Sequence, residues 1–260
     1  PVSYPIMGII FGAVTSIFVL ITWLGTKERV HADAEKILGK GFWKELRSLW
    51  QVREVRLMII MFVSNQIGAD LFMATVIFFL KDVVKIPDDI TSLIMGLPLV
   101  IAIISVPLWV FLGEKLGKKR AYIFAAFFFL IPLLMVLFAP VGNVTVVVII
   151  AVLAGVGSSA TQVLPWSMIP DVVEFDEYQN GVRREGFYMG LTQLIYKASS
   201  ALVIFLAVGL LGIFGYIENN PAGVQPQSAL IAVRLVLGLG TAFFYLMAAL
   251  FARIMPFTQE

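Results

Sequence analysis

The stretch GFYMGLTQLIYKASSALVIFLAVGLLGIFGYI, residues 186–217, determines the fold class of this chain. Lys197 is its only charged residue, and the stretch exceeds the roughly 20 apolar residues that a helix needs to cross a bilayer. An ammonium group inside such a helix costs about 2.5–3.5 kcal/mol on insertion scales. We therefore expect Lys197 to face protein or water within the membrane and to interact with a partner group there. Such a residue is a candidate for the functional site.

The remainder of the chain is equally apolar, since 60% of its residues are hydrophobic and only 14% are charged. This composition predicts an all-α membrane protein. Cysteine is absent, which excludes disulfides and thiol chemistry. Stretches long enough to span a membrane number seven and cover residues 4–24, 58–80, 91–112, 121–139, 144–166, 187–216 and 228–254.

The basic residues predict the orientation of these spans. If the spans alternate, fifteen of the nineteen Lys and Arg residues fall on one side of the membrane. By the positive-inside rule that side is cytoplasmic, which places the C-terminus inside a cell membrane. Eight basic residues lie in or beside the long segment after the first span, where residues 42–50 also predict a short interfacial helix.

Two charged segments at the predicted cytoplasmic ends are candidate gates. The loop GEKLGKKR, residues 113–120, offers Glu114, Lys115 and Lys118 for a charge latch, although anchoring by positive charge alone is the alternative. The second segment, residues 165–186, holds five carboxylates and two arginines within fifteen residues, which is too acidic for a passive cytoplasmic loop. Its gate candidates are Asp171, Glu174, Glu177, Arg183 and Glu185.

These motifs resemble a known transporter family. The 113–120 segment is similar to the D-R-x-G-R-R loop signature of the major facilitator superfamily. Residues 165–197 look like the glycoside–pentoside–hexuronide:cation symporter family, in which an acidic loop precedes a transmembrane lysine by about a dozen residues. The positions that fall on this pattern are Asp171, Glu174, Glu177, Gly181, Arg183, Glu185, Gly186 and Lys197.

The resemblance implies a fold of twelve helices in two halves of six. Residues 1–25 then represent the last helix of an N-terminal half that is missing here, residues 26–57 the central cytoplasmic loop, and residues 58–260 the C-terminal half. The missing start methionine agrees with this reading of the chain as a segment. The implied activity is cation-coupled symport of a sugar or similar small polar solute, with Na⁺ or H⁺ as the coupling cation and no cofactor.

Polar residues inside the spans are the candidate substrate and cation contacts. Gln193 lies one helical turn from Lys197, and Asp70 is a second charge near mid-membrane. A structural ion pair of Asp70 with Lys197 or Arg234 is the alternative to a binding role. The remaining candidates are Asn65, Gln66, Gln162 and Trp166, although Trp166 also suits an interfacial belt.

Other functions fit the sequence less well. No enzyme or nucleic-acid signature is present, and the single histidine, His31, lies in the predicted central loop, where a metal site is not expected. A lysophospholipid symporter of the same fold is the main alternative, with Lys197 meeting a phosphate. A seven-helix receptor or retinal protein leaves the motif at 165–197 without a purpose.

Overall fold

The computed structural model describes residues 3–25, 47, 50–181, 185–217 and 224–255. Most of the predicted central loop and interfacial helix, together with His31 and Arg183, lies outside these residues. The chain divides into two units, residues 1–42 and 43–260. In the first unit, helix α1 covers Ser3–Gly25, and its sequence carries no charged residue.

The second unit contains the remaining helices. They are α2 (Arg53–Phe78), α3 (Asp88–Leu116), α4 (Lys118–Phe138), α5 (Val144–Asn180), α6 (Glu185–Ile213), α7 (Gln227–Leu235) and α8 (Thr241–Ile254). A π-helical turn, Phe79–Val83, extends α2, and a second one, Val236–Gly240, joins α7 to α8 into one span. Helix α2 begins at Arg53, so it starts inside the range that the sequence assigned to the central loop.

Within the described residues, seven helices are long and apolar enough to cross a membrane, as the sequence predicted. The parts of the chain that the structure describes contain no strand. The prediction of an all-α membrane protein is therefore confirmed. Helix α2 is the central helix of its unit, because 72% of its span is buried, whereas only 17% of the α6 span is buried.

The predicted loop at residues 113–120 consists of a single residue. Helix α3 ends at Leu116 and α4 begins at Lys118, which leaves Gly117 alone at the corner. Gly117 has φ 83° and ψ 142°, a backbone conformation that is essentially restricted to glycine. The candidate latch residues Glu114, Lys115 and Lys118 therefore lie on helix ends and not on a flexible loop.

Residues 165–180 of the acidic segment are likewise helical, contrary to the prediction of a loop after residue 166. Helix α5 continues through Pro165 and Pro170 to Asn180 and stops where Gly181 takes the left-handed conformation. Val172 and Val173 are buried in this extension, so it packs as an amphipathic helix. Membrane helices tolerate internal prolines because neighbouring groups satisfy the freed carbonyls.

Helices α3 and α5 pack so closely that only a glycine fits at position 155. A Cβ atom at Gly155 would lie 2.7 Å from the carbonyl oxygen of Pro98 and 2.8 Å from the Cβ of Ile101. Gly157 similarly approaches the ring of Phe129 on α4. Small residues of α5 thus allow close helix approach.

Arg234 of α7 closes the end of helix α4. Its guanidinium donates hydrogen bonds to the carbonyl oxygens of Val136, Leu137 and Ala139 at 3.1, 2.8 and 2.7 Å. These carbonyls stand at a helix C-terminus, where the last turn lacks internal partners and the helix dipole favours a cation. Arg234 therefore serves helix packing here and is not bonded to Asp70.

Candidate functional site

Asp70 is held by two hydroxyl groups of a neighbouring helix. The hydroxyl of Tyr196 donates a hydrogen bond of 2.8 Å to Oδ2 of Asp70, and the hydroxyl of Ser200 donates to the same oxygen. Tyr196 and Ser200 stand one turn apart on α6, so both reach across to α2. Within the described part of the chain, Oδ1 of Asp70 accepts no hydrogen bond.

Lys197 follows Tyr196 directly and therefore lies at the same depth as Asp70. Its side chain is exposed, and its Nζ lies 5.2 Å from the centroid of the Tyr196 ring. No ion pair joins Lys197 to Asp70 among the residues that the structure describes. The partner expected from the sequence is thus not found, because α6 turns Tyr188, Tyr196 and Ser200 towards the helix core and leaves Lys197 on the opposite edge.

Gln193 is half-buried one turn before Lys197 on the same helix. Both residues belong to the side of α6 that this chain leaves largely uncovered. Lys197 stands about 18 Å along the helix from Glu185. A polar strip at this depth requires water or another protein surface, since hydrocarbon cannot solvate an ammonium group.

Asn65 and Gln66 lie in the interior, in a separate hydrogen-bond network. The Asn65 amide nitrogen donates to Oε1 of Gln66 at 3.0 Å and to the carbonyl of Thr161 at 2.8 Å. The Tyr122 hydroxyl donates to Oδ1 of Asn65 at 3.0 Å. This network joins α2, α4 and α5. In this conformation Asn65 contacts protein groups, so its role as a solute contact stays a prediction.

Gln162 and Trp166 are both exposed on α5. The Trp166 ring packs edge-on against Phe62, with ring centroids 4.8 Å apart and an interplanar angle of 89°. Phe62 precedes Asp70 by eight residues of α2, about 12 Å along the helix. The structure therefore separates Trp166 from the Asp70 cluster by roughly two turns.

The candidate gate contains one described ion pair, between α4 and α5. Nζ of Lys118 lies 2.8 Å from both carboxylate oxygens of Asp171 and donates to the Ser167 carbonyl at 3.0 Å. Lys118 occupies the first turn of α4, where the helix dipole disfavours a cation, and Asp171 compensates that charge. Because both helices belong to one unit, the pair fastens the end of this unit.

The other gate candidates are arranged differently. The ammonium of Lys115 lies 4.4 Å from the centroid of the Phe111 ring on its own helix. Glu114 and Glu174 are exposed, and Glu177 and Glu185 make contacts of their own. Lys119, which was not a gate candidate, donates a hydrogen bond to the Met255 carbonyl beyond the end of α8.

The Lys118–Asp171 pair is expected to add modestly to stability. Its side chains are 29% and 38% exposed, so we predict a coupling free energy of about 0.2–1 kcal/mol from the variants Lys118→Met, Asp171→Asn and their combination. Thermal unfolding in detergent measures this double-mutant cycle. Lys115→Met is the control. Additive losses in the double variant would show that the two charges do not interact.

Sequence reasoning missed two aromatic hydroxyls, those of Tyr196 and Tyr122. Each is almost fully buried in an apolar helix, and buried hydroxyls nearly always have a hydrogen-bond partner. The signal was present at Tyr196, which adjoins Lys197 and stands one turn from Ser200. Asp70, a carboxylate within the membrane, needs hydrogen-bond donors of this kind.

Comparisons with known proteins identify the family of this chain. Residues 2–259 match the family described as MFS/sugar transport protein. Similar relatives include the uncharacterized symporter sll1374 of Synechocystis sp., 30% identical over 83% of this chain and 40% of the relative. The glucuronide carrier protein homolog of Escherichia coli is 26% identical over 72% of this chain and 40% of the relative.

A third relative is the sodium-dependent lysophosphatidylcholine symporter 1 of Xenopus tropicalis, which is 24% identical over 96% of this chain and 48% of the relative. This chain thus spans 40% to 48% of the length of these relatives. The family match covers nearly the whole chain and agrees with its seven apolar helices. The chain therefore belongs to the MFS/sugar transport protein family, within the major facilitator superfamily that its motifs resemble.

Proposed function

We propose that the protein containing this chain is a secondary transporter that couples the symport of a sugar or similar small polar solute to a cation. The second unit, residues 43–260, supplies one helical half of the transporter. A second half, with its own six helices, completes the solute site. Movement of the two halves about this site then exposes it to each side of the membrane in turn. The relatives, which include a symporter and a glucuronide carrier protein homolog, support this assignment.

The observation that carries the proposal is the exposed ammonium of Lys197 at the depth of Asp70. In a membrane an uncovered lysine of this kind lines a water-filled path or contacts another protein surface. Asp70 lies on the adjoining helix with one carboxylate oxygen free of described hydrogen bonds. An ionised carboxylate accepts hydrogen bonds from solute hydroxyls and binds Na⁺, while the ammonium donates.

The two charged groups perform separate tasks in this mechanism. Tyr196 and Ser200 fix the orientation of Asp70, so its free oxygen is positioned before a solute arrives. Among the described residues, the contact found for the Lys197 ammonium is with the Tyr196 ring, so its long side chain can move. In the complete transporter, Lys197 would hold a carboxylate of the other half. Release of that carboxylate when the cation binds would couple cation binding to solute transport.

The proposed orientation places the ends of α4 and α5 that carry Lys118 and Asp171 in the cytoplasm. Fifteen of the nineteen basic residues support this orientation, and the C-terminus is then cytoplasmic. The Lys118–Asp171 pair closes the cytoplasmic end of this half. A reporter fused to the C-terminus tests the orientation by its accessibility in intact cells.

A lysophospholipid is the second candidate solute. The relative named as a lysophosphatidylcholine symporter supports this candidate, since its similarity extends over 96% of this chain. In that case Lys197 contacts the lipid phosphate. The polar residues near Asp70 favour the sugar, because hydroxyls and carboxylates match sugar hydroxyl groups.

The proposal is tested by uptake into cells that express the full-length protein. A panel of radiolabelled sugars and a lysophospholipid is offered with and without a Na⁺ or pH gradient. Gradient-dependent sugar uptake supports the proposal and identifies the cation, while gradient-dependent lysophospholipid uptake overturns the sugar. Solute accumulation by reconstituted residues 1–260 alone would contradict the proposal of two halves.

Neutralising the exposed gate acid is expected to change the speed of the transport cycle. Glu114 is exposed beside the Gly117 corner, so it is available to pair in a second conformation. We expect Glu114→Gln to alter the solute exchange rate several-fold and to leave affinity nearly unchanged. Counterflow kinetics measure both quantities, and Asp89→Asn at the other end of α3 is the control. A change confined to affinity would argue against the latch.

A further inference from the structure

A proline in α5 determines the direction of the hydrogen bonds around Asn65. Pro165 has no N–H group, so the carbonyl of Thr161, four residues earlier, lacks its helical donor. The side chain of Asn65 on α2 donates to that carbonyl at 2.8 Å. A backbone carbonyl only accepts hydrogen bonds, so the Asn65 atom beside it is Nδ2. Oδ1 of Asn65 then accepts from the Tyr122 hydroxyl at 3.0 Å.

The Asn65 amide in turn fixes the orientation of Gln66. Nδ2 of Asn65 donates a second hydrogen bond, of 3.0 Å, and the Gln66 atom that accepts it must be Oε1. Nε2 of Gln66 therefore points away from Asn65, and within the described residues it donates to no group. Asn65 is fully buried, whereas Gln66 is 8% exposed. The part of Gln66 that is left to contact a solute is thus a hydrogen-bond donor.

Gln66 belongs to the same helix face as the proposed solute site. It precedes Asp70 by four residues, so the two side chains stand one turn apart on α2. One turn before Gln66, Phe62 packs against Trp166, which is exposed on α5. The Gln66 amide therefore lies between an exposed aromatic ring and a carboxylate. A solute on this face meets an acceptor at Asp70 and a donor at Gln66.

We infer that Asn65 is a positioning residue that determines specificity, because it holds Gln66 as a donor one turn from the acceptor Asp70. This inference rests on the proposed transport function and specifies which atoms of a polar solute the site recognises. One hydroxyl of a sugar donates to Asp70, and another group accepts from Gln66. Asn65→Asp reverses the second requirement, since a carboxylate accepts from Nε2 of Gln66 and turns Oε1 towards the solute.

Binding of modified sugars to the full-length protein in nanodiscs tests this inference. The probes are methyl β-glucoside, methyl β-galactoside and methyl β-glucuronide, each with one hydroxyl at a time replaced by fluorine or by hydrogen. Fluorine accepts a hydrogen bond but cannot donate one, and hydrogen does neither. At one ring position we expect the fluoro analogue to bind about threefold to fivefold more tightly than the deoxy analogue, the value of one hydrogen bond. At the position that contacts Asp70, both replacements should weaken binding equally.

Asn65→Asp should remove the advantage of the fluoro analogue and leave a preference for the parent hydroxyl. A purely structural role of Asn65 would instead weaken all analogues by the same factor. Gln66→Met removes the donor at similar volume, so it should also abolish the difference between the fluoro and deoxy analogues, and it keeps the test valid if Asn65→Asp does not fold. Asn143→Asp is the matched control, because Asn143 at the start of α5 only accepts, from the Val146 N–H, as a carboxylate can.

Thermal unfolding tests the hydrogen-bond directions without any solute. Asn65→Asp should lower the unfolding temperature by several degrees, because the Thr161 carbonyl loses its donor, whereas Asn143→Asp should not. Equal stability of these two variants would overturn the inference, as would an unchanged advantage of the fluoro analogue in Asn65→Asp. If no parent glycoside binds, the sugar function fails together with this inference. If a parent binds and its fluoro and deoxy analogues are equal at every position, this inference alone is overturned.

Discussion

Replacement of Lys197 by alanine is expected to abolish gradient-driven uptake by the full-length protein. Lys197 is exposed at the depth of Asp70, so its side chain is not required to fill the core of this unit. The loss should therefore appear in transport and not in folding. Uptake of the solute identified by the panel, together with protein level and thermal unfolding, measures both effects.

The control for this variant is Leu194→Ala, one turn earlier on α6. Leu194 is 60% exposed, and its truncation removes a side chain of comparable length without removing a charge. Lys197→Gln keeps a polar side chain and removes the positive charge, so it shows whether the charge itself is required. Normal uptake by Lys197→Ala would refute the proposed role, and equal loss in Leu194→Ala would assign the effect to helix contacts.

Gly155→Ala is expected to destabilise the protein by about 1–3 kcal/mol, the range for overpacking a close contact. The added Cβ would lie 2.7 Å from the Pro98 carbonyl oxygen, so the helix backbones of α3 and α5 would have to move apart. A flexible side chain could yield cheaply, but a carbonyl inside a helix cannot. Thermal unfolding in detergent measures the loss.

Gly209→Ala provides the matched control, because nothing lies within 4 Å of the Cβ position at Gly209. That helical substitution should be neutral or stabilise by up to about 1 kcal/mol, the difference in helix propensity. The prediction thus concerns a difference in sign between two identical substitutions. A Gly155→Ala protein as stable as the Gly209→Ala protein would contradict the observed helix contact.

The number and type of the spans could be predicted from apolar stretches, because each stretch falls in the range of about 17 residues or more that a membrane-spanning helix needs. Helix ends were less accurate. The sequence predicted that the span of α5 ends at residue 166 and that an acidic loop follows, as the family resemblance implies, whereas α5 extends to Asn180. The spacing held the correct signal, since the buried apolar pair Met168 and Ile169 recurs four residues later as Val172 and Val173, and the exposed Pro170 and Glu174 are also four residues apart.

The polar site shows a second limit of the sequence. Apolar context placed Lys197 and Asp70 inside the membrane, and the structure places both at one depth on adjoining helices. Which side of α6 faces α2 depends on the packing of whole helix faces, so Tyr196 and Ser200 could not be identified as the donors to Asp70. For the same reason Asn65, a polar residue of similar depth, was not recognised as a buried link between helices.

The one-residue corner at Gly117 has a practical consequence for measurements on this protein. A connection of this length leaves α3 and α4 no slack, so the two helix ends that meet at this corner must move together in any conformational change. Spectroscopic labels at Lys115 and Arg120 should therefore report a constant separation in every state. Such a pair provides an internal distance standard for measurements from the same labels to other parts of the protein.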